Sequence, residues 1–189
     1  MRRRLLSGLI GAAVLAFLLV GLAQAAEFSA ITVTKSGNSE RQGKLYVKGD
    51  KARQEFSTSE GTTTAILRQD KKIMWLLMPG QRAYIEMPFD QEDFAKALNI
   101  PIEGANKKFL GTEMLKGYET EKYETTAKLG TQEVKSRMWI SKKLGIPLRI
   151  ESLDKSFAQD YDIQEGGVAD ALFEIPAGYQ KLTRRVCRE

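Results

Sequence analysis

The sequence predicts a mainly β chain with one or two short helices. Three observations predict it. Strand-like segments recur at short intervals, with turn residues between them. The connections are too short for crossover helices, so neighbouring strands run antiparallel. The chain of 189 residues holds about ten such segments, and a sheet of that size must curl or close to hide its edges.

The first strand spans Phe28 to Lys35 and ends at Ser36-Gly37-Asn38. Lys44 to Lys48 is the second, stopped by Gly49-Asp50, and Lys51 to Thr58 the third. Thr62 to Gln69 is rich in threonine and isoleucine, as strands are. Asp70-Lys71-Lys72 turns the chain into Ile73 to Met78, and Pro79-Gly80-Gln81 turns it back into Arg82 to Met87. Asp90 caps a short helix, with Glu92 and Asp93 at the positive end of its dipole. Phe94, Ala97 and Leu98 share one helix face, and Asn99 and Pro101 end it. Met114-Leu115-Lys116-Gly117 leads into Tyr118 to Ala127, followed by Thr131 to Ser141, Pro147 to Leu153 and Phe157 to Ile163. From Gly166-Gly167 onward the chain reads as irregular.

Composition excludes several chemistries. The chain is 42% hydrophobic and 28% charged, a globular balance. It has no histidine, which removes Ser-His-Asp and Cys-His catalysis and every His-ligated metal site. Its single cysteine, Cys187, removes an intrachain disulfide, a CxxC redox pair and a zinc ribbon.

Arg2, Arg3 and Arg4 precede an apolar run from Leu5 to Ala23, and Ala23-Gln24-Ala25 follows. This is the pattern of a secretory leader, with small residues where the signal peptidase requires them. The expected cut falls after Ala25, or after Ala26, leaving 26–189 as one periplasmic domain. The alternative is an inner-membrane anchor formed by an uncleaved segment 5–23. No cysteine near the cut offers a lipid attachment site. The formal charge of +5 rests on 29 basic and 24 acidic residues; without the three leader arginines it falls to +2. A near-neutral domain lacks the basic stripe that nucleic acid demands.

The apolar meander is a signal second only to the hairpin at Trp139 to Ile150. Ile73 to Met78 is apolar on both faces, whereas a half-buried strand alternates, so both faces are covered. Met74, Met78, Met87, Met114 and Met138 add flexible, polarizable side chains that suit variable apolar ligands; packed core is the plainer reading of the same residues. Glu113, Glu119, Glu121 and Glu124, and separately Asp160 and Asp162, are close in sequence. Lys116 and Lys122 lie among the glutamates, which reads as solvated strand charge, and no Asp-rich loop with a glycine turn marks calcium. The serines and threonines lack a base partner. No enzyme, cofactor or metal is expected. The tail carries Lys181, Arg184, Arg185 and Arg188, suited to a solvated end or to anionic partners.

The stretch Trp139 to Ile150, WISKKLGIPLRI, is a hairpin with Pro147 near the start of its second strand. Its wording resembles the LolA-like superfamily, the outer-membrane lipoprotein carrier and sorting proteins. Relatives of unassigned function in that superfamily are similar to FLGTEMLKGYETEKYE, Phe109 to Glu124, and to FEIPAGYQKL, Phe173 to Leu182. The resemblance implies a strongly curved antiparallel sheet, a half-barrel, with a helical lid or plug. It also implies a cavity for acyl chains, or a sensor of envelope proteins. One departure bears on this: the carriers begin with a helix over the cavity, whereas Phe28 here enters a strand at once.

The leading expectation is therefore a periplasmic, non-enzymatic and monomeric binding protein. It holds an apolar ligand, a lipid acyl chain or lipoprotein, between the sheet and the Asp90 helix. The expected lining is Met74, Trp75, Leu76, Leu77, Met78, Tyr84, Met87, Phe94, Leu98, Met138 and Trp139. The alternative is an envelope protein-interaction or sensor module with a filled core, binding through a sheet edge or the basic tail. An empty methionine-lined cavity favours the first, and a helix packed into the sheet favours the second.

Overall fold

The computed structural model describes residues 26–58, 61–98, 107–129 and 132–182. The leader expected over 1–25, the helix-ending Asn99 and Pro101, and the tail residues Arg184, Arg185, Cys187 and Arg188 lie outside the described residues.

Among the described residues, twelve strands form one curved, unclosed sheet. They are β1 (Glu27–Ser36), β2 (Ser39–Lys48), β3 (Lys51–Thr58), β4 (Gly61–Arg68), β5 (Ile73–Met78) and β6 (Ala83–Pro88). After the helix α1 (Gln91–Ala97) come β7 (Lys107–Leu115), β8 (Tyr118–Leu129), β9 (Gln132–Ser141), β10 (Pro147–Ser152), β11 (Phe157–Glu165) and the two-residue β12 (Gln180–Lys181). The mainly β half-barrel predicted by the sequence is the fold observed.

Two antiparallel meanders, β1–β6 and β7–β11, meet where β1 pairs with β11. That long-range pairing runs from Phe28 opposite Glu165 to Ser36 opposite Phe157. The outer strands are β12, which lies parallel to β6, and β7.

β7 (Lys107–Leu115) departs from the sequence reading, in which Met114-Leu115-Lys116-Gly117 leads into Tyr118 to Ala127. Its residues do not alternate, and Gly111, at φ +137°, sits where the register with β8 slips. A bulge of this kind breaks the period that marks a strand in sequence. Pro147 is the first residue of β10, as expected for a residue without an N–H.

Gly43 marks a close approach between strands. Thr32, Gly43 and Phe56 stand opposite one another across β1, β2 and β3. A Cβ at Gly43 would lie 2.8 Å from the Glu55 carbonyl oxygen and 2.8 Å from Thr32 Oγ1. Only glycine permits so close an approach of neighbouring strands.

Candidate functional site: the two faces of the sheet

The helix covers one face. Asp90 accepts from the Asp93 N–H at 2.8 Å, and the Asp93 carboxylate accepts from the Asp90 N–H at 3.3 Å. This reciprocal capping box starts α1 where the sequence places it. The buried side of α1 packs Phe94 and Leu98, 8% and 3% exposed, onto a cluster with Phe28, Leu45, Val47, Ala65 and Leu67. Phe89 meets Phe94 edge to face at 6.2 Å between centroids. Gln54 Nε2 donates to the Ala97 carbonyl at 2.8 Å, fixing the far end of the helix to β3.

A cleft of about 250 Å³ opens beside Ala97. Its lining includes Thr32, Thr34, Leu45, Gln54, Gln159 and Tyr161. These residues share the helix face by register. The face is thus apolar under α1 and becomes mainly polar beyond the helix, with hydroxyl and amide groups around the exposed ring of Phe56. The cleft is smaller than the roughly 300–1,000 Å³ typical of pockets that bury a drug-sized ligand. A hollow of about 580 Å³ lies by Glu133, Lys135, Leu153 and Asp154, but its walls are exposed and carry charge.

The opposite face has its own cover. Val168 and Phe173, in the irregular segment after β11, are buried against Ile66, Trp75 and Leu77. Polar contacts tie this strap to the sheet. Glu27 accepts from the Val168 N–H at 3.0 Å, and Lys48 pairs with Asp170 at 3.0 Å. Arg53 Nη1 donates to the Leu172 carbonyl at 3.1 Å, and Lys181 in β12 pairs with Glu86 at 2.7 Å. Arg68, almost wholly buried, donates to Asp70, to the Phe173 carbonyl and to Glu174. Its guanidinium beside Asp70 lowers the Asp70 pKa from its ordinary value.

The residues expected to line one cavity therefore divide. Met74, Leu76, Phe94 and Leu98 belong to the helix-face cluster, and register puts Met78 and Met87 on that face too. Trp75, Leu77 and Tyr84 belong to the strap-face cluster, away from α1; Trp75 Nε1 donates to Glu86 at 3.0 Å there. Met138 faces the helix side from β9, and its neighbour Trp139 faces the other. Trp139 donates to Glu113, while Lys122 lies 4.7 Å from its ring centroid and pairs with Glu113 at 3.3 Å. A period of two sends consecutive residues to opposite faces, so Trp75–Leu76 and Met138–Trp139 could not share one cavity.

Four of the six carboxylates singled out from sequence are paired with cations, and Glu121 accepts from the Tyr123 hydroxyl at 2.7 Å. Glu119 pairs with Lys142, Asp160 with Arg149 at 2.7 Å, and Asp162 with Lys116 at 2.5 Å. Hydrogen bonds to Trp139 and Lys122 lower the Glu113 pKa. No group of three or more candidate metal ligands occurs among the described residues. The cleft residues Thr32, Thr34, Gln54, Gln159 and Tyr161 were not singled out from sequence. Alternation in β1 carries the only signal for the two threonines, and nothing local shows that β11 lies beside it.

The comparisons with known proteins agree with this architecture. A family model described as a domain of unknown function, DUF4412, matches residues 30–160. No curated protein matches the sequence. An uncharacterised conserved protein from Thermus thermophilus superposes with a TM-score of 0.59 at 14% identity, covering 85% of this chain and 91% of that one. The Pseudomonas aeruginosa MucA/MucB complex gives 0.51 at 10% identity, covering 82% and 57%. A structure of MucB alone gives 0.50 at 12% identity, covering 82% and 59%. The chain therefore spans little more than half of the MucB chains it matches. At these identities the likeness is one of fold, the LolA-like fold of MucB.

Proposed function

The chain belongs to the DUF4412 family, and from that premise we propose that it is a non-enzymatic periplasmic binding module whose ligand is another envelope protein. The observation that carries this reading is the filled helix face. Phe94 and Leu98 are buried in the sheet, and the space left beside them is a cleft of about 250 Å³ whose lining mixes hydroxyl and amide groups with Phe56, Lys44 and Glu55. A carrier of acyl chains calls for a longer apolar hollow, because its binding energy comes from burying CH₂ groups at about 0.8 kcal/mol each. The MucB fold occurs in a complex with the protein MucA, which supports a protein ligand. The leader pattern of residues 1–25 supports the periplasm, and the absence of histidine supports a non-enzymatic role.

A second reading keeps the apolar ligand. The underside of α1 rests on Met74 and Leu76, both only partly buried. A ligand that displaced this seven-residue helix would find an apolar floor. One experiment separates the readings: the full-length chain is expressed for export, purified without detergent and weighed by native mass spectrometry. A mass equal to the polypeptide alone is expected. A stoichiometric lipid adduct would overturn the protein-binding reading in favour of the carrier.

A further inference from the structure

The two edges of the sheet are built differently. The β6 edge is covered by β12, whose two residues are polar; the Gln180 N–H donates to the Arg82 carbonyl and the N–H of the following Leu182 to the Tyr84 carbonyl. A very short polar cover is a common way to blunt an edge. The β7 edge has no strand beyond it among the described residues. Over nine residues it leaves Phe109, Leu110 and Met114 at 54%, 40% and 68% exposure. Three of the seven exposed large apolar side chains among the described residues, the two most open included, thus stand on one outer strand.

We propose that β7 is a docking edge for an extended strand of an acidic protein segment. This rests on the protein-binding reading above and names where, and by what, that binding occurs. Outward N–H and C=O groups along β7 call for a ladder of acceptors and donors, which a strand supplies and a lipid does not. Phe109 and Met114 lie on the helix side of β7 by register with Tyr123 and Glu119, so a paired strand meets apolar surface on that side. Charge sets the polarity of the partner. Lys107 and Lys108 are exposed and have no ion pair among the described residues, whereas Glu113 is already held by Lys122 and Trp139. Lys108 stands opposite Glu124 on the strap side, whereas Lys107, on the helix side, meets the Tyr123 ring, 5.3 Å from its centroid. Two lysines against one carboxylate leave the start of β7 net positive, and an acidic side chain opposite it completes the pairing. The bulge at Gly111 interrupts the ladder, so a long flat strand does not fit and indiscriminate pairing is suppressed.

The test uses the full-length exported protein and two short, end-capped peptides of alternating valine and threonine, one ending in two glutamates and the other in two lysines. The glutamate peptide slows amide hydrogen exchange along residues 107–115, and the lysine peptide binds about fivefold more weakly, the scale of two cross-strand charge pairs. The double reversal Lys107→Glu and Lys108→Glu, at two exposed positions, inverts that preference. Unchanged exchange along β7, protection at the β12–β6 edge instead, or a preference indifferent to the reversal overturns the proposal. Photo-crosslinkers placed at Leu110 and at Thr34 in living cells separate the two levels of the argument. A protein adduct from Thr34 alone overturns the edge and leaves the protein-binding reading standing, whereas no protein adduct from either position overturns both.

Discussion

Arg68 Nη1 donates to the main-chain carbonyl of Phe173 at 3.1 Å, across 105 positions of sequence. A guanidinium buried at the end of β4 thereby holds down the strap that seals the apolar face of Trp75. The same side chain donates to both Asp70 oxygens, at 2.8 and 2.6 Å, so its charge is balanced where it is desolvated.

Removing this guanidinium leaves the Phe173 carbonyl and the Asp70 carboxylate without their donor. Arg68→Ala is expected to cost about 3 kcal/mol, the scale of breaking a buried ion pair. Urea unfolding measures the loss. Trp75 fluorescence should shift to the red as the strap loosens, and an unshifted spectrum with full stability would contradict the clamp.

Gly43→Ala tests the close approach of the strands. The added methyl meets the Glu55 carbonyl oxygen, a backbone atom of a paired strand. The expected cost is about 1–3 kcal/mol, as for other overpacked sites. Gly37→Ala is a poor control because its φ is positive, whereas Gly80→Ala, with open space around it, should be nearly silent. Equal midpoints for Gly43→Ala and Gly80→Ala would show that the strands do not converge as described.

The helix gives a third prediction. Phe94→Ala should destabilise the fold by about 3 kcal/mol, the lower end for buried aromatic truncation. A loosely seated lid would lose far less. Chemical denaturation of the exported protein decides between them, and a loss below about 1 kcal/mol would favour the displaceable helix of the second reading.

Asp154 gives a pH test. Its carboxylate accepts from Ser152 Oγ at 2.6 Å, Ser156 Oγ at 2.7 Å and the Ser156 N–H at 3.0 Å in the turn between β10 and β11. These donors favour the ionised form and lower its pKa from 3.8 to about 2. The turn's stabilisation is therefore fully present above the ordinary carboxylate value and is lost as pH falls toward 2. NMR titration of the side-chain carboxyl should give a midpoint near the lowered value. A midpoint at the ordinary value would mean that the serines do not hold it.

Much of the fold was legible in the residues. The first meander and α1 follow from turn residues, short connections and a capping aspartate, all local features. β7 was not legible, because Gly111 breaks its alternation, and β12 is only two residues long and exists only because β6 lies beside it. The site was legible in outline alone. The all-apolar run Ile73–Met78 implies cover on both faces, and both faces are covered. Which cover lies over which residue was not contained in the run.

The sequence by itself determined the strand class, the short helix with its apolar face, and the double burial of β5. Each is set by period, capping or composition within a few residues. Only the tertiary structure decided that β1 closes against β11, that α1 covers Met74 and Leu76 while the strap covers Trp75 and Leu77, and that β7 is an outer strand among the described residues. Those outcomes depend on register and long-range pairing. Alternation states that a strand has two faces, but only its neighbours in space decide what each face meets.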